Sequence, residues 1–395
     1  MTASRARLAS RMEGIAPFHV MRILARARAM EANGRAVVHM EVGEPPFPTP
    51  GPVVAQARRA LDAGETFYTP ALGLPRLRAA IADYYQERFG VRLSSDRIVV
   101  TPGSSAGLQL ALAMLCDAGS ELLLTDPGYP CNRHFARLYG ITPVGLPVSA
   151  GNAFLPTLEQ IEAAWSPATR ALLLASPANP TGSVIPRERL RAYAACIERL
   201  GGVLIVDEIY QGLHHGMSPH SVLEVDDRVV VVNSFSKYFC MTGWRVGWLV
   251  LPESFIEAAD RLAQNMYLAA PTLAQHAAVA ALAPATRPIL EARREALGKK
   301  LRWAERELAS TGLEVTRSPD GGFYLYVGLA GLPVTASEFC RRLLEEEGVA
   351  VTPGVDFGVH RAERHIRLAC VAEDGEMRTA FDAIGRLCAT LLQGG

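Results

Sequence analysis

Three short apolar runs between residues 170 and 237 decide the fold, and a cluster of polar residues follows each of them. The runs and their continuations are RALLLA followed by SPANPTG (170–182), VLIV followed by DEIY (203–210), and VVVV followed by NSFSK (229–237). Unbroken runs of Val, Leu and Ile are typical of strands that are buried on both faces of a parallel sheet. Parallel neighbouring strands need a crossover connection, which is usually a helix. The segment Arg187–Arg199 has a helical pattern and lies between two of the runs, so it is expected to form such a crossover.

The same alternation of strand and helix extends in both directions from this stretch. Further strands are predicted at Arg97–Thr101, Glu121–Thr125 and Trp248–Leu251, and further helices at Ala106–Cys116, Arg133–Tyr139 and Leu158–Ala164. This pattern predicts an α/β fold with a large, mostly parallel wound sheet over residues 51–285.

The C-terminal part has a different pattern, with a long charged helix first and then mixed strands and helices. Helices are predicted at Ile289–Ser310, Ala336–Glu347 and Asp374–Leu392, and strands at Leu313–Arg317, Phe323–Val327, Val349–Thr352 and His365–Cys370. We expect a smaller α+β domain over 286–395, packed with an N-terminal arm over 1–50 that supplies part of it.

Composition excludes several classes of protein. The 395 residues contain 40 basic and 40 acidic side chains, which argues against a nucleic-acid partner. The most apolar run, Met266–Ala283, is interrupted by proline and polar residues, so it predicts a buried helix and not a membrane span. The seven cysteines form no CxxC pair, which favours a reducing compartment and a cytoplasmic location.

Chemically useful side chains follow the predicted strands, and ligands bind at the carboxyl ends of strands in such sheets. The small-residue loop PGSSAG (102–107), Tyr129, Asn179, Asp207 and Lys237 all occupy such positions. The loop allows two interpretations. It matches the G-x-S-x-G nucleophile elbow of hydrolases, and it also suits a helix N-terminus that binds phosphate.

The segment SFSK (234–237) followed by TGWRVG (242–247) carries the most chemical information. A lysine directly after a buried strand loses charge through desolvation and becomes a usable nucleophile and base. Arg245 lies eight residues further on and, with the nearby serines, can hold a phosphate by forked hydrogen bonds.

Taken together, these motifs resemble the class I/II aminotransferases, enzymes of fold type I that use pyridoxal 5′-phosphate. The resemblance rests on motifs in the family's order along nearly the whole chain: GEPPF (43–47), FYTPALGLPRLR (67–78), PGSSAG (102–107), DPGYP (126–130), SPANPTG (176–182), VDEIY (206–210), SFSKYFCMTGWRVGW (234–248), GGFYLY (321–326), PGVDFG (353–358) and HIRLAC (365–370). The hydrolase interpretation of the loop gives no role to Lys237, Asn179 or Asp207.

The resemblance implies a role for each residue that matches a family motif. Lys237 is expected to form the internal aldimine with the cofactor and to move the proton. Asp207 is expected to pair with the pyridinium nitrogen, Asn179 and Tyr210 to bind the phenolic oxygen, and Tyr129 to stack on the ring. The expected phosphate ligands are Ser104, Ser105, Ala106, Ser234, Ser236 and Arg245.

The resemblance also implies how substrate and a second subunit are bound. Arg367 is expected to bind the substrate carboxylate, with the Gly43 backbone close by. Tyr68 is expected to reach the phosphate of a neighbouring subunit, which implies a homodimer with shared sites. No metal is predicted, because adjacent histidines such as His214 and His215, with His220 near them, seldom face one ion.

Two departures from the family's aspartate enzymes concern the substrate. Some of those enzymes have a lysine where this chain has Ser105, and they usually have tryptophan where it has Tyr129. We therefore expect ping-pong transfer from a neutral, apolar or aromatic amino acid to 2-oxoglutarate or pyruvate. A C–S β-lyase of the same fold stays open, because the same lysine chemistry supports it.

Overall fold

The computed structural model of the protein describes residues 8–393, and within them the chain forms thirteen strands. In chain order these are β1 Val38–His39, β2 Ile98–Thr101, β3 Glu121–Asp126, β4 Thr142–Pro147, β5 Thr169–Ala175, β6 Val203–Asp207, β7 Val230–Ser234, β8 Gly247–Val250, β9 Glu314–Val315, β10 Tyr324–Gly328, β11 Val349–Ala350, β12 Thr352–Pro353 and β13 His365–Ala369.

The same residues form twelve α-helices. They are α1 His19–Ala32, α2 Gly51–Asp62, α3 Pro75–Phe89, α4 Gly103–Leu115, α5 Pro130–Leu138, α6 Leu158–Ala164, α7 Arg187–Arg199, α8 Ile256–Met266, α9 Thr272–Leu282, α10 Arg287–Ala309, α11 Ala336–Glu347 and α12 Asp374–Gln393.

Seven strands form the central sheet in the order β2-β8-β7-β6-β5-β3-β4. Strand β8 pairs antiparallel with both of its neighbours, and the other six run in one direction. The predicted α/β fold with a mostly parallel sheet is therefore confirmed. Sequence analysis missed the edge strand β4, whose prolines and glycine (Pro143, Gly145, Pro147) are poor strand formers.

The strands are apolar throughout because both faces of the sheet are covered. Within β5, Leu172 and Leu174 belong to one hydrophobic cluster, whereas Ala171 and Leu173 belong to a second one. Successive side chains on a strand point to opposite faces, so each face needs its own apolar set. Helices pack over both faces, so the polar residues are confined to the ends of the strands.

A smaller α+β unit is assembled around a four-stranded antiparallel sheet of order β12-β13-β10-β9. Its core joins Met40, from near the start of the chain, to residues of α11 and α12 such as Phe339 and Ile384. Strand β1 pairs in parallel with β11. Helix α10 contributes to both units, because Leu290 lies in a core of the large unit and Leu301 in that of the small one.

The prediction of one buried helix over Met266–Ala283 is only partly correct. Helix α8 ends at Met266, and α9 begins at Thr272, directly after Pro271. Proline favours the start of a helix and cannot continue one, which explains the break. Among residues 8–393, no helix has both the length and the apolar character needed to cross a membrane.

Candidate active site

The predicted site residues meet at the carboxyl edge of the central sheet. A cavity of about 250 Å³ opens there, between the large unit and the start of α1. Because β2, β3, β5, β6 and β7 run in the same direction, the residues that follow them share one edge. Eleven predicted site residues line the cavity: Gly43, Ser104, Ser105, Tyr129, Asn179, Asp207, Tyr210, Ser236, Lys237, Arg245 and Arg367.

Lys237 lies three residues beyond β7, and its side chain enters the cavity from the sheet edge. Its Nζ donates a hydrogen bond of 2.6 Å to the carbonyl oxygen of Gly43. Burial lowers the pKa of Lys237 to about 8; Arg367 and Arg245 act in the same direction and Glu44 opposes them. Near pH 7, the Lys237 amine is therefore uncharged more often than the amine of an ordinary lysine. The uncharged form is the one that acts as a nucleophile.

Asp207 is the last residue of β6, and it is almost completely buried. Its carboxylate accepts a hydrogen bond of 3.0 Å from the backbone N–H of Ile209. Burial raises its pKa to about 7, although that hydrogen bond and the charge of Lys237 oppose the shift. Because burial disfavours its charged form, a carboxylate at this position is strongly stabilised by a cationic partner. The protonated nitrogen of an aromatic ring is such a partner.

Two phenols form a pair on the wall beside Asp207. The hydroxyls of Tyr210 and Tyr324 lie 2.7 Å apart, and the Nζ of Lys237 is 5.8 Å from the ring centre of Tyr210. Burial raises the pKa of both phenols, so both stay neutral hydrogen-bonding groups. A Cβ at position 43 would overlap the Tyr324 hydroxyl, which explains why a glycine stands there.

The start of α4 forms an anion cradle with the loop after β7. No side chain caps the first turn of α4, so its N–H groups face the cavity beside Ser104 and Ser105. The guanidinium of Arg245 lies against Gly103, whose φ of +78° suits glycine. The same guanidinium donates a 3.0 Å hydrogen bond to the carbonyl of Thr242. Free N–H groups, hydroxyls and a guanidinium are the groups that bind a phosphate.

Arg367 comes from β13 and is only 3% exposed. Its Nη1 donates 3.0 Å to Oδ1 of Asn179, and its Nη2 donates to the Glu41 carbonyl and to Oγ1 of Thr352. Its Nε is buried and has no partner among residues 8–393. The guanidinium lies 4.4 Å from the Tyr324 ring centre. A buried cation with an unused N–H is suited to a carboxylate ligand.

Three predicted cofactor ligands do not line this cavity. Ala106 lies one residue further along α4 than the lining serines. Ser234 lies behind Ser236, and its hydroxyl donates 2.9 Å to the Ser236 hydroxyl. Tyr68 is 84% exposed, beside a surface depression formed with residues 269–272. Tyr68 was assigned to a neighbouring subunit, so its location in a single chain leaves that prediction untested.

Sequence analysis also missed part of the cavity wall. The additional lining residues are Phe18, Val20, Met21, Val42, Leu108, Ala175, Ile209, Thr242 and Tyr324. Most are ordinary apolar residues, which carry no motif. Tyr324 had a signal, because the motif GGFYLY places it two residues after Gly322, at the first position of a strand.

Two of the three neighbouring histidines are held by backbone carbonyls of different segments, although the ring centres of His214 and His220 lie 5.8 Å apart. Nε2 of His215 lies 2.7 Å from the carbonyl of Gly322, and Nε2 of His220 lies 2.8 Å from that of Ile185. Burial lowers the pKa of His214 to about 3, so its ring is neutral. In the described part of the chain, no three His, Cys, Asp or Glu side chains form a group that could hold a metal ion.

The cavity fits pyridoxal phosphate group by group. The amine of Lys237 suits the aldehyde, Asp207 suits the ring nitrogen, and the open first turn of α4 with Arg245 suits the phosphate. Arg367, whose side chain lines the same cavity, suits a carboxylate.

Comparisons with known proteins agree with this fit. The sequence profile of the family "Aminotransferase class I and II" matches residues 35–384. The chain is 37% identical to the valine–pyruvate aminotransferase of Mycobacterium tuberculosis, covering 94% of this chain and 96% of that one. It is 36% identical to the arginine–pyruvate transaminase of Pseudomonas aeruginosa, covering 93% and 94% respectively.

A solved structure gives the same result at the level of the fold. The crystal structure of an aminotransferase from Mycobacterium tuberculosis superposes with a TM-score of 0.93 at 36% identity, over 98% of this chain and all of that one. Relatives of this kind do not favour the β-lyase alternative, because they are transaminases. The chain therefore belongs to the class I and II aminotransferases, pyridoxal phosphate enzymes that move an amino group between an amino acid and a 2-oxo acid.

Proposed function

We propose that this aminotransferase takes neutral, apolar or aromatic L-amino acids as donors, with pyruvate or 2-oxoglutarate as acceptor. The observation that carries the proposal is the set of charged side chains on the cavity wall. Among residues 8–393 these are Asp207, Lys237, Arg245 and Arg367. Each has a partner in the cofactor or in the α-carboxylate common to all substrates, so none is left for a charged substrate side chain.

The rest of the wall supports the same donor class. Apolar side chains line the cavity from four separate segments of the chain: Phe18, Val20 and Met21, then Val42, Leu108 and Ile209. Burying an apolar donor side chain against such a wall contributes about 1.5–3 kcal/mol. The relative that acts on valine is consistent with this class, whereas the one that acts on arginine shows how widely donors vary within the family.

The roles proposed for the site residues come from the family resemblance, and their places on the cavity wall support them. When bound, pyridoxal phosphate supplies a ring that withdraws the electron pair of the Cα–H bond. Lys237 would hold the aldehyde carbon of the cofactor and, once released, would carry the Cα proton as base and acid. Asp207 keeps the ring nitrogen protonated, and Tyr210 and Asn179 donate to the phenolic oxygen.

The remaining residues bind and orient. Tyr129 packs on the ring face. Arg367, with the Gly43 backbone, binds the α-carboxylate, and because it also donates to Asn179 it ties substrate position to the phenolic oxygen. The phosphate would be held by Ser104 and Ser105 of the α4 turn and by Ser236 and Arg245 after β7, all of which line the cavity. Of the other two predicted ligands, Ser234 supports Ser236 from behind and Ala106 lies one residue further along α4.

Donor preference is measured by steady-state kinetics with a panel of amino acids. We expect kcat/KM for valine, leucine and phenylalanine to exceed that for aspartate by about tenfold or more, because a buried carboxylate without a partner costs more than 1 kcal/mol. Alanine is the control for a small neutral side chain. A clear preference for aspartate over alanine, leucine and phenylalanine would contradict the proposal.

The protein acts as a homodimer with shared sites. Two adjacent aromatic side chains, Phe67 and Tyr68, are 81% and 84% exposed, which supports a surface that a second chain covers. The predicted reach of Tyr68 to the phosphate of the second subunit is consistent with this surface.

Complementation tests this assembly. We expect light scattering to give twice the mass of one chain, and Tyr68→Ala to weaken cofactor binding by about 10-fold or more, because a hydrogen bond to a charged group contributes about 1.5–3 kcal/mol. At limiting cofactor concentration, Tyr68→Ala subunits mixed and reassociated with Lys237→Ala subunits should be more active than either parent, because one site of the mixed dimer is then intact. A monomer, or no recovery in the mixture, would refute shared sites.

Two organisational proposals complete this description. The domains are an N-terminal arm over 1–50, a large cofactor domain over 51–285 and a small domain over 286–395; the antiparallel sheet and its separate core support the last of these. The protein is cytoplasmic, which its seven free cysteines support, because such thiols persist in a reducing compartment.

A further inference from the structure

The first turn of α1 forms a wall of the cavity, although it belongs to the N-terminal arm. Phe18, Val20 and Met21 all line the cavity. Val20 is buried, whereas Met21 is 54% exposed, so packing alone does not fix this turn. The other half of α1 is anchored independently, since Ala27 and Met30 pack against residues of α11 and β11.

One side chain holds the first turn of α1. The two carboxylate oxygens of Asp356 accept the backbone N–H groups of His19 at 2.9 Å and of Val20 at 3.1 Å. Helix α1 has no capping side chain of its own and no acidic residue in its first turn. A carboxylate at this position pairs with unsatisfied N–H groups and with the positive end of the helix dipole.

Asp356 is itself fixed from two sides. It is only 4% exposed, and its carbonyl accepts a 2.9 Å hydrogen bond from Arg133 of α5. The next residue, Phe357, accepts the N–H of Gly128 at 2.8 Å and lies 4.9 Å from the guanidinium of Arg367. The loop that carries Asp356 is therefore tied both to the segment before Tyr129 and to the arginine of the cavity.

We propose that Asp356 is a positioning residue that sets the donor-side wall of the cavity by capping α1, and so determines how well large apolar side chains are bound. It does not touch the reacting atoms; it acts through the backbone of residues 19 and 20. The inference rests on the proposed donor class. It explains why a buried carboxylate is kept beside a cavity whose own charges already have partners.

The test compares leucine with alanine as donors. We expect Asp356→Ala to lower kcat/KM for leucine about tenfold, mainly through KM, and for alanine by less than about twofold, because the larger side chain buries more area against residues 18–21. Asp356→Asn keeps an acceptor oxygen of the same size and should recover much of the leucine activity. Equal losses with both donors, or an unchanged leucine-to-alanine ratio, would overturn the proposal.

Arg26→Ala is the matched control. Arg26 anchors the middle of α1 through an ion pair of 2.7 Å with Glu345, far from the first turn, so its removal should leave the donor ratio unchanged. Amide hydrogen exchange gives a readout independent of turnover, and exchange at His19 and Val20 should rise in Asp356→Ala. If wild type transaminates neither donor, the proposed function fails; unchanged exchange at these amides refutes the role of Asp356.

Discussion

Replacing Lys237 with alanine is expected to lower kcat by about 10²- to 10⁴-fold, the usual contribution of a positioned acid–base group. It should also abolish the visible absorbance of the lysine-bound cofactor. Among residues 8–393, Lys237 supplies the only primary amine on the cavity wall, so no other side chain there can take its place. Asp207 would retain its partner in the ring nitrogen, so the variant should still bind the cofactor non-covalently.

The small number of lysines makes this prediction easy to control. The chain contains only two others, Lys299 and Lys300, both in α10. Borohydride reduction of the wild-type holoenzyme should attach the cofactor to Lys237 alone, as mapped by mass spectrometry. Lys299→Ala should keep full activity and absorbance. Cofactor attached to Lys299 or Lys300, or a borohydride-reduced cofactor adduct that still forms in Lys237→Ala, would refute the assignment.

The fold was largely predictable because burial on both faces leaves a simple pattern. The strands that follow this rule, such as Val203–Asp207 and Val230–Ser234, were found at nearly their observed bounds. Edge strand β4 was missed because its residues are mostly not buried and include Pro143 and Pro147, so no apolar run exists. The reversed direction of β8 was also missed, since strand direction leaves no trace in composition.

The site was predictable where chemistry needs a particular side chain at a strand end. Lys237, Asp207 and Asn179 are of this kind, and the structure brings them to one cavity. Phe18 and Met21 were missed because they approach from a helix of the distant N-terminal arm, and any apolar residue can serve there. Tyr68 belongs to a third class, because a single chain gives its exposure and not its partner.

Replacing Arg367 with lysine should reduce kcat/KM by about 10- to 150-fold, the factor that corresponds to the ~1.5–3 kcal/mol of one charge-assisted hydrogen bond. Arg367 is held between the rings of Tyr324 and Phe357, at 4.4 and 4.9 Å from the ring centres. A planar guanidinium can stack there, bond Asn179 and still direct further N–H groups to a carboxylate. A lysine ammonium has no plane to stack and cannot form a two-point contact with a carboxylate.

The loss should fall equally on both half-reactions, because donor and acceptor share the carboxylate that Arg367 binds. We therefore expect KM to rise for the amino acid and for the 2-oxo acid alike, while the visible absorbance of the bound cofactor is unchanged. Arg361→Lys, an exposed arginine in the same segment, is the control and should behave as wild type. An effect on only one of the two substrates would mean that Arg367 recognises a side chain and not the shared carboxylate. The proposal of a neutral donor would then fail as well. It assumes that the α-carboxylate occupies Arg367, so that no charged side chain of the cavity is left for the donor side chain.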